Sequence, residues 1–186
     1  MELAMVCLTS GQLSQLFTLL GEIEQVLRST QFQVWKTITL GHYTSPYQYR
    51  KALKQVKRKR GIPVIHGEEH EKLLDATICS QEEIEVDLVR LTVQELGFKD
   101  GATIRDIIER GRKLGLEVCP AEVGPALRLA YLDQPEGESH LRIAMEPIDE
   151  MIYEVEYLND MYLMRSGARP DRIYHDHTFV FVRPRR

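Results

Sequence analysis

Residues 141–165, with the sequence LRIAMEPIDEMIYEVEYLNDMYLMR, decide the fold class. They contain short runs in which apolar residues alternate with polar ones, a pattern typical of β-strands with one apolar face. The dipeptide Asn159-Asp160 between two of these runs indicates a two-residue hairpin, although it lacks the glycine that favours such turns. This stretch therefore predicts antiparallel strands joined by short turns.

Further strands are predicted on both sides of this stretch. The strands predicted for the C-terminal part of the chain are 126–132, 141–148, 152–158, 161–165 and 178–183. Turn-forming residues separate them, above all the loop DQPEGESH at residues 133–140. Short strands with tight connections favour an antiparallel meander.

The N-terminal part of the chain is predicted to be mainly helical. Its helices are predicted at residues 10–29, 46–59 and 104–114, and its strands at 32–40 and 83–92. Thr103 and Asp106 have the spacing of a capping box before the third helix. Residues 62–82 are typical of a loop or a poorly defined short helix. We therefore expect an α+β fold with N-terminal helices and a C-terminal antiparallel β-meander.

The domain organisation follows from the first helix. Its apolar residues recur at intervals of three and four, at Leu13, Leu16, Leu20, Ile23 and Leu27. A helix with a single apolar stripe has to bury it, either on the rest of the chain or on a second copy. We expect residues 1–30 to form an amphipathic helical extension and residues 31–186 to form a single α+β domain.

Charge is unevenly distributed along the chain. The 24 basic and 28 acidic residues give a net charge of −4, which excludes a uniformly basic, histone-like protein. The basic residues of segment 50–60 are Arg50, Lys51, Lys54, Lys57, Arg58, Lys59 and Arg60. Residues 67–87 are strongly acidic, so pairing between the two segments is the favoured interpretation. Nucleic-acid binding through the basic segment is the alternative, because seven such charges could contact phosphates.

The cysteines and the N-terminus predict a cytoplasmic location. Cys7, Cys79 and Cys119 are odd in number and form no CxxC motif, so neither a disulfide framework nor a four-thiolate zinc site is expected. The apolar N-terminus carries an acidic residue at position 2 and no preceding basic residue, unlike a signal peptide. No stretch approaches the roughly 18 apolar residues of a membrane span, so no membrane association is expected.

Two histidine clusters resemble metal-binding patterns. Residues 66–70, HGEEH, match the H-x-x-E-H motif in which two histidines bind zinc and a glutamate acts as base. Pro63 and Gly67 argue against a helix through His66, and a solvated acidic loop is the favoured interpretation. His175 and His177 would share a strand face, but a polar loop is again favoured. The weak metal candidates are His66, Glu69, His70, His175 and His177.

Several strings within residues 32–150 resemble a group of small bacterial proteins of unassigned function. They are VWKTITLG, EVDLVRLTV, ELGFKDGAT, LGLEVCPAEVGPALRLAYLDQPEGE and LRIAMEPI. The resemblance implies no established activity, and it therefore carries over no catalytic residue, cofactor or partner.

Polar residues within the same region predict a polar pocket. The candidates, which stand among apolar neighbours, are Glu122, Arg128, Asp133, Gln134 and Glu146. In the predicted strand 126–132, Arg128 would share a face with small and apolar residues, where it could pair with a carboxylate or bind an anion. A structural pair of Arg128 with a glutamate is favoured over a ligand pocket.

The chain lacks the common catalytic signatures. It has no nucleophile elbow, phosphate-binding loop or dinucleotide motif. Glu154 and Glu156 lack the lysine that a nuclease-type carboxylate set requires. No catalytic residue and no cofactor are therefore assigned, and the leading hypothesis is a non-enzymatic, cytoplasmic protein-binding protein. Its N-terminal helix is expected to bind a protein partner or a second copy. Nucleic-acid binding and a small metal-dependent hydrolase are the alternatives.

Overall fold

In the described part of the chain, helices and strands are interspersed up to residue 130, and only strands follow. The computed structural model describes residues 9–29, 31–60, 68–135, 137–138, 140–158, 161–166 and 172–185. The helices in this part of the chain are α1 (Ser10–Ser29), α2 (Pro46–Arg60), α3 (Glu68–Asp75), α4 (Ile104–Lys113) and α5 (Val123–Ala130). The strands are β1 (Lys36–Leu40), β2 (Ile84–Thr92), β3 (Leu141–Ile143), β4 (Tyr153–Leu158), β5 (Met161–Ser166) and β6 (Thr178–Arg183).

The strands form one mixed sheet in the order β1-β2-β6-β3-β4-β5. Its neighbouring strands are antiparallel except β3 and β6, which run parallel with Leu141 beside Thr178. The predicted antiparallel meander with its helices first is therefore wrong. The reason lies in β6, whose residues Thr178 to Val182 are all buried. A strand that is apolar on both faces needs neighbours and cover on both sides, so β6 inserts between β2 and β3 instead of extending the β4–β5 hairpin.

The predicted strand 126–132 is also wrong, because these residues belong largely to helix α5. Pro125 lies in its first turn, where a missing backbone N–H breaks no helical hydrogen bond. Gly124 packs so closely on β4 that a Cβ atom there would overlap the Tyr153 ring. The predicted strand 141–148 shortens to Leu141–Ile143. The loop at residues 133–140 therefore follows a helix rather than a strand.

Most of the other predicted elements are confirmed. Helix α1 has the predicted bounds, and α2 and α4 each differ from prediction by one residue at the C-terminal end. The capping box is present, because the Thr103 hydroxyl accepts from the Asp106 N–H and the Asp106 carboxylate accepts from the Thr103 N–H. Within the uncertain segment 62–82, the structure forms α3, while residues 61–67 lie outside the described part.

Helices cover the sheet on both faces. Phe181 of β6 and Tyr153 of β4 point to opposite faces according to the strand register. Gly111 of α4 lies against the Phe181 ring, and Gly124 of α5 lies against the Tyr153 ring. We name the two sides the α4 face and the α5 face. The residues that line the two faces therefore meet different neighbours.

Gly111→Ala is expected to lower the stability of the fold by about 1–3 kcal/mol, because the added Cβ would overlap the buried Phe181 ring. Gly21→Ala, inside α1, is the matched control, since no atom lies within 4 Å of a Cβ there. The control is expected to be neutral or stabilising. Urea denaturation of both variants measures the difference. An unchanged midpoint for Gly111→Ala would contradict the packing of α4 on β6.

Candidate functional site

The predicted pocket residue Glu122 is a buried anchor. Its side chain is inaccessible to solvent and accepts hydrogen bonds from the N–H of Gly41, the hydroxyl of Tyr49 and the N–H of Ser80, each at 2.8 Å. Burial and the bond to Glu122 raise the pKa of Tyr49, so the phenol stays protonated and keeps donating. Glu122 therefore fixes three separate segments to the start of α5.

Arg128 and Gln134 lie together at the other end of α5. The Arg128 guanidinium is buried and donates to Gln134 Oε1 at 2.8 Å and to the Glu156 carbonyl at 3.1 Å. It also donates to the Tyr131 carbonyl at the end of the helix. These bonds hold the loop after α5 against β4.

The remaining pocket candidates lie on the surface. Asp133 is exposed. Glu146 is also exposed, and its carboxylate lies 2.5 Å from the Arg112 guanidinium. Of the five predicted residues, the structure thus brings together Arg128 and Gln134. Asp133, next to Gln134 in the chain, is exposed to solvent, and Glu122 and Glu146 lie elsewhere.

In the basic segment, Arg50 pairs with the acidic segment that follows. Its guanidinium lies 2.5 Å from Asp75 and 2.7 Å from Glu71, both on α3. Hydrogen bonds to these carboxylates, the one to Asp75 first, raise the pKa of Arg50. Lys51 and Lys54 are exposed. The side chains of Lys57, Arg58, Lys59 and Arg60 lie outside the described part. Arg50 is thus engaged within the chain and is less available to a phosphate.

The metal candidates lie in different surroundings. Glu69 is exposed, whereas the His70 ring is buried with its centroid 6.1 Å from that of Tyr153. His66 lies outside the described residues. His175 is exposed and His177 is partly buried. Within the described ranges, no three His, Cys, Asp or Glu side chains are arranged to hold a metal ion.

A buried polar cluster lies on the α4 face of β3 and β4. We name it the Arg142 cluster, and its members are His140, Arg142, Glu154, Glu156, Tyr174 and His177. Arg142 and Glu154 are cross-strand partners, and Arg142 Nη2 lies 3.1 Å from Glu154 Oε1. His140 Nε2 lies 2.8 Å from Glu156 Oε1. The arginine and both glutamates are at least nine-tenths buried, whereas the His140 side chain is 41% exposed.

Tyr174 covers the arginine of this cluster. The Arg142 Cζ atom lies 5.2 Å from the centre of the Tyr174 ring, and the exposed Arg172 has its Cζ atom at 5.4 Å. Two backbone hydrogen bonds with Ala102 hold Tyr174 in place. The His177 ring stands nearly perpendicular to the Tyr174 ring, with the centroids 5.3 Å apart. The loop before β6 thus closes over β3.

Positive charge dominates around His177. Burial lowers the pKa of His177 to about 4, and the nearby charges of Arg142, Arg172 and His140 act in the same direction. His177 is therefore a neutral imidazole at neutral pH. Burial also lowers the pKa of Arg142, an effect that the adjacent Glu154 carboxylate opposes.

The sequence does not show that these residues form one cluster, because its polar residues alternate with apolar ones. In His140-Leu141-Arg142 and Glu154-Val155-Glu156 the polar positions look like solvent-facing sides of strands. The α4 face is covered here by Tyr174, which is distant in sequence. The sequence did contain one signal for the cluster, because Arg142 and Glu154 carry opposite charges at facing positions of β3 and β4.

No family model, curated protein or solved structure matches this chain. The resemblance to small bacterial proteins stays a prediction, and any function has to be argued from the geometry. Among the described residues, no helix combines the length and the apolar character needed to cross a lipid bilayer.

The α1 helix exposes apolar side chains that the fold does not cover. These side chains, 42–72% exposed, are Leu13, Leu16, Phe17, Leu19, Leu20 and Ile23, and we name them the α1 stripe. By contrast, the apolar residues of α4 are buried. Large apolar side chains grouped on one exposed surface mark an interaction site more often than single ones do. The α1 stripe is therefore the candidate interface.

Glu122→Gln is expected to destabilise the protein by about 2–3 kcal/mol. The amide has one acceptor oxygen, so at least one of the three donors loses its partner. Glu146→Gln, at an exposed site with one surface ion pair, is the matched control and should change stability by less than about 0.5 kcal/mol. Chemical denaturation compares them. Equal effects of the two substitutions would contradict the anchoring role.

His177 is expected to make folding stability depend on pH. Its folded pKa of about 4 lies below its ordinary value of 6.5, so the unfolded chain binds a proton that the folded protein does not. Stability should therefore fall by about 2–3 kcal/mol as pH decreases from 6.5 to 4. His177→Gln should flatten this slope, whereas His175→Gln, at an exposed neighbouring position, should retain it. Denaturation midpoints across this pH range measure both, and an unchanged slope in His177→Gln would contradict the assignment.

Proposed function

We propose that this chain is a non-enzymatic, cytoplasmic protein-binding protein that associates through α1 with a second copy of itself. The exposed α1 stripe is the observation that carries the proposal. Burying a Leu, Ile or Phe side chain stabilises an assembly by roughly 1.5–3 kcal/mol when the burial is complete. Burial of the six partly exposed side chains of the α1 stripe would thus strongly favour association.

The spacing of the stripe favours an identical helix as the occupant. Leu13, Leu16, Leu20 and Ile23 follow intervals of three, four and three, and Leu27 continues the series in the sequence. This is the a/d pattern of a coiled coil, in which each helix offers the knobs and holes that its copy requires. With 20 residues, α1 would be about 30 Å long, which accommodates nearly three such repeats.

The charge pattern points in the same direction. Between Glu2 and Glu22 the sequence contains no charged residue, so two copies of this part of α1 meet without repulsion. Phe17 and Leu19 occupy the flanking e and g positions, where coiled coils often carry charges that select a different partner. The absence of such charges from these two positions favours self-association over a specific charged partner.

The free cysteines support the proposed compartment. Cys79 and Cys119 are buried thiols without a disulfide, as is usual in a reducing environment. Burial raises the pKa of the Cys79 thiol to about 11, so this cysteine is not a reactive nucleophile. The two described cysteines thus fit the proposed cytoplasmic, non-enzymatic role.

Replacing three residues of the α1 stripe by glutamate is expected to abolish self-association. In Leu16→Glu/Leu20→Glu/Ile23→Glu, the charges would face each other across the seam. Sedimentation of the full chain should give a multiple of 21.5 kDa for the parent and 21.5 kDa for the variant.

The control places the same three charges on the exposed remainder of α1, as Ser14→Glu/Gln15→Glu/Thr18→Glu. It should retain the mass of the parent protein. A parent mass of 21.5 kDa at all concentrations would overturn the proposal. If such a monomer bound phospholipid vesicles and the glutamate-substituted variant did not, the α1 stripe would be a membrane-binding surface instead.

A further inference from the structure

The Arg142 cluster holds buried donors that the fold leaves without acceptors. Arg142 is 3% exposed, and its Nη2 atom is engaged with Glu154, but Nε and Nη1 form no hydrogen bond to any described residue. His177 Nδ1 is buried and also lacks a partner among the described residues, and the buried Tyr174 hydroxyl, whose polar neighbour is the Arg142 guanidinium, has no acceptor there for its own proton. Such groups are costly to bury, and several of them in one cluster call for an explanation.

These groups lie close enough together to act on one ligand. The Tyr174 ring lies 5.2 Å from the Arg142 Cζ atom, and its centroid is 5.3 Å from that of His177. A guanidinium offers paired N–H donors that match the oxygens of a carboxylate or phosphate. A tyrosine hydroxyl and a neutral imidazole can donate as well. All three side chains can therefore donate hydrogen bonds to an oxygen-rich group.

The local charge favours an anion. Burial lowers the pKa of His177 first, and the neighbouring Arg142, Arg172 and His140 lower it further, whereas Asp176 acts in the opposite direction. More cationic than anionic side chains thus act on this ring. The nearest carboxylates are occupied, because Glu154 contacts Arg142 and Glu156 contacts His140. A cationic ligand would meet this positive side of the cluster unfavourably.

We propose that the Arg142 cluster binds the oxyanion group of a small molecule, a carboxylate or a phosphate, through Arg142, Tyr174 and His177. The half-exposed His140 and the exposed Arg172 stand at the edge of the cluster, where the rest of the molecule reaches solvent. This site lies on the sheet and goes beyond the self-association proposed for α1.

Titration of the full chain with sodium phosphate and with sodium acetate tests the site, with sodium chloride as the control for ionic strength. The probe is the imidazole NMR signal of His177, followed together with the thermal midpoint. With at least one of the two oxyanions, we expect a saturable shift of that signal and a higher thermal midpoint. Sodium chloride should cause neither change. A response to phosphate alone assigns a phosphoryl ligand, and a response to acetate assigns a carboxylate.

Tyr174→Phe removes the hydroxyl and keeps the ring. It should weaken binding roughly tenfold, because one hydrogen bond to a charged group is lost. Arg142→Gln should abolish binding. If the Arg142→Gln protein does not fold, the affinity of Tyr174→Phe tests the proposal instead. Arg112→Gln, an exposed arginine paired with Glu146, should bind as the parent does. No saturation with either oxyanion, or equal affinity in Tyr174→Phe and the parent, would overturn the proposal. The glutamate-substituted α1 variant should still bind, so the two proposals can fail separately.

Discussion

The buried carboxylate of Glu122 is the interaction on which the helical layer of the α5 face depends. A carboxylate removed from water is tolerated when donors replace its hydration, and here the donors come from three separate segments. Gly41 supplies one of them with a φ of +78°, and a Cβ atom there would overlap the Glu82 carbonyl. The end of β1, helix α2 and the segment after α3 are therefore positioned by their bonds to one side chain. Glu122 also directly precedes α5, and Gly124 in that helix allows it to pack closely on the sheet.

The local elements could be predicted from the sequence where local signals suffice. The bounds of α1 follow from its spacing, and the start of α4 follows from its capping box. The position of β6 could not be predicted, because pairing between residues 87–92 and 178–183 is decided by burial on both faces rather than by any turn. The segment 126–132 was wrongly predicted as a strand because it is apolar except for Arg128, and a short apolar run fits a buried helix as well as a buried strand. Pro125 was the signal for the helix.

The candidate site was only partly accessible to sequence analysis for a related reason. Glu122, Arg128 and Gln134 could be singled out because they interrupt apolar surroundings, and all three are buried. Arg142 was not singled out, and Glu154 was considered only as part of a nuclease-type carboxylate set, because a polar residue at every second strand position looks like a solvent-facing side. Which side of a strand meets solvent depends on the element that covers it, and here that element is a loop more than 15 residues away in the sequence.

Glu122 and Arg142 show two ways of burying a charge within the same sheet-centred fold. Glu122 is surrounded by three donors at 2.8 Å, so the structure itself accounts for its burial. Arg142 is almost as inaccessible, yet Glu154 engages one end of its guanidinium, while its Nε and Nη1 atoms form no hydrogen bond to the described residues. Stability alone would favour an apolar side chain at such a position. Glu122 is therefore a charge that stabilises the fold, whereas the remaining donors of Arg142 fit an acceptor from outside the protein.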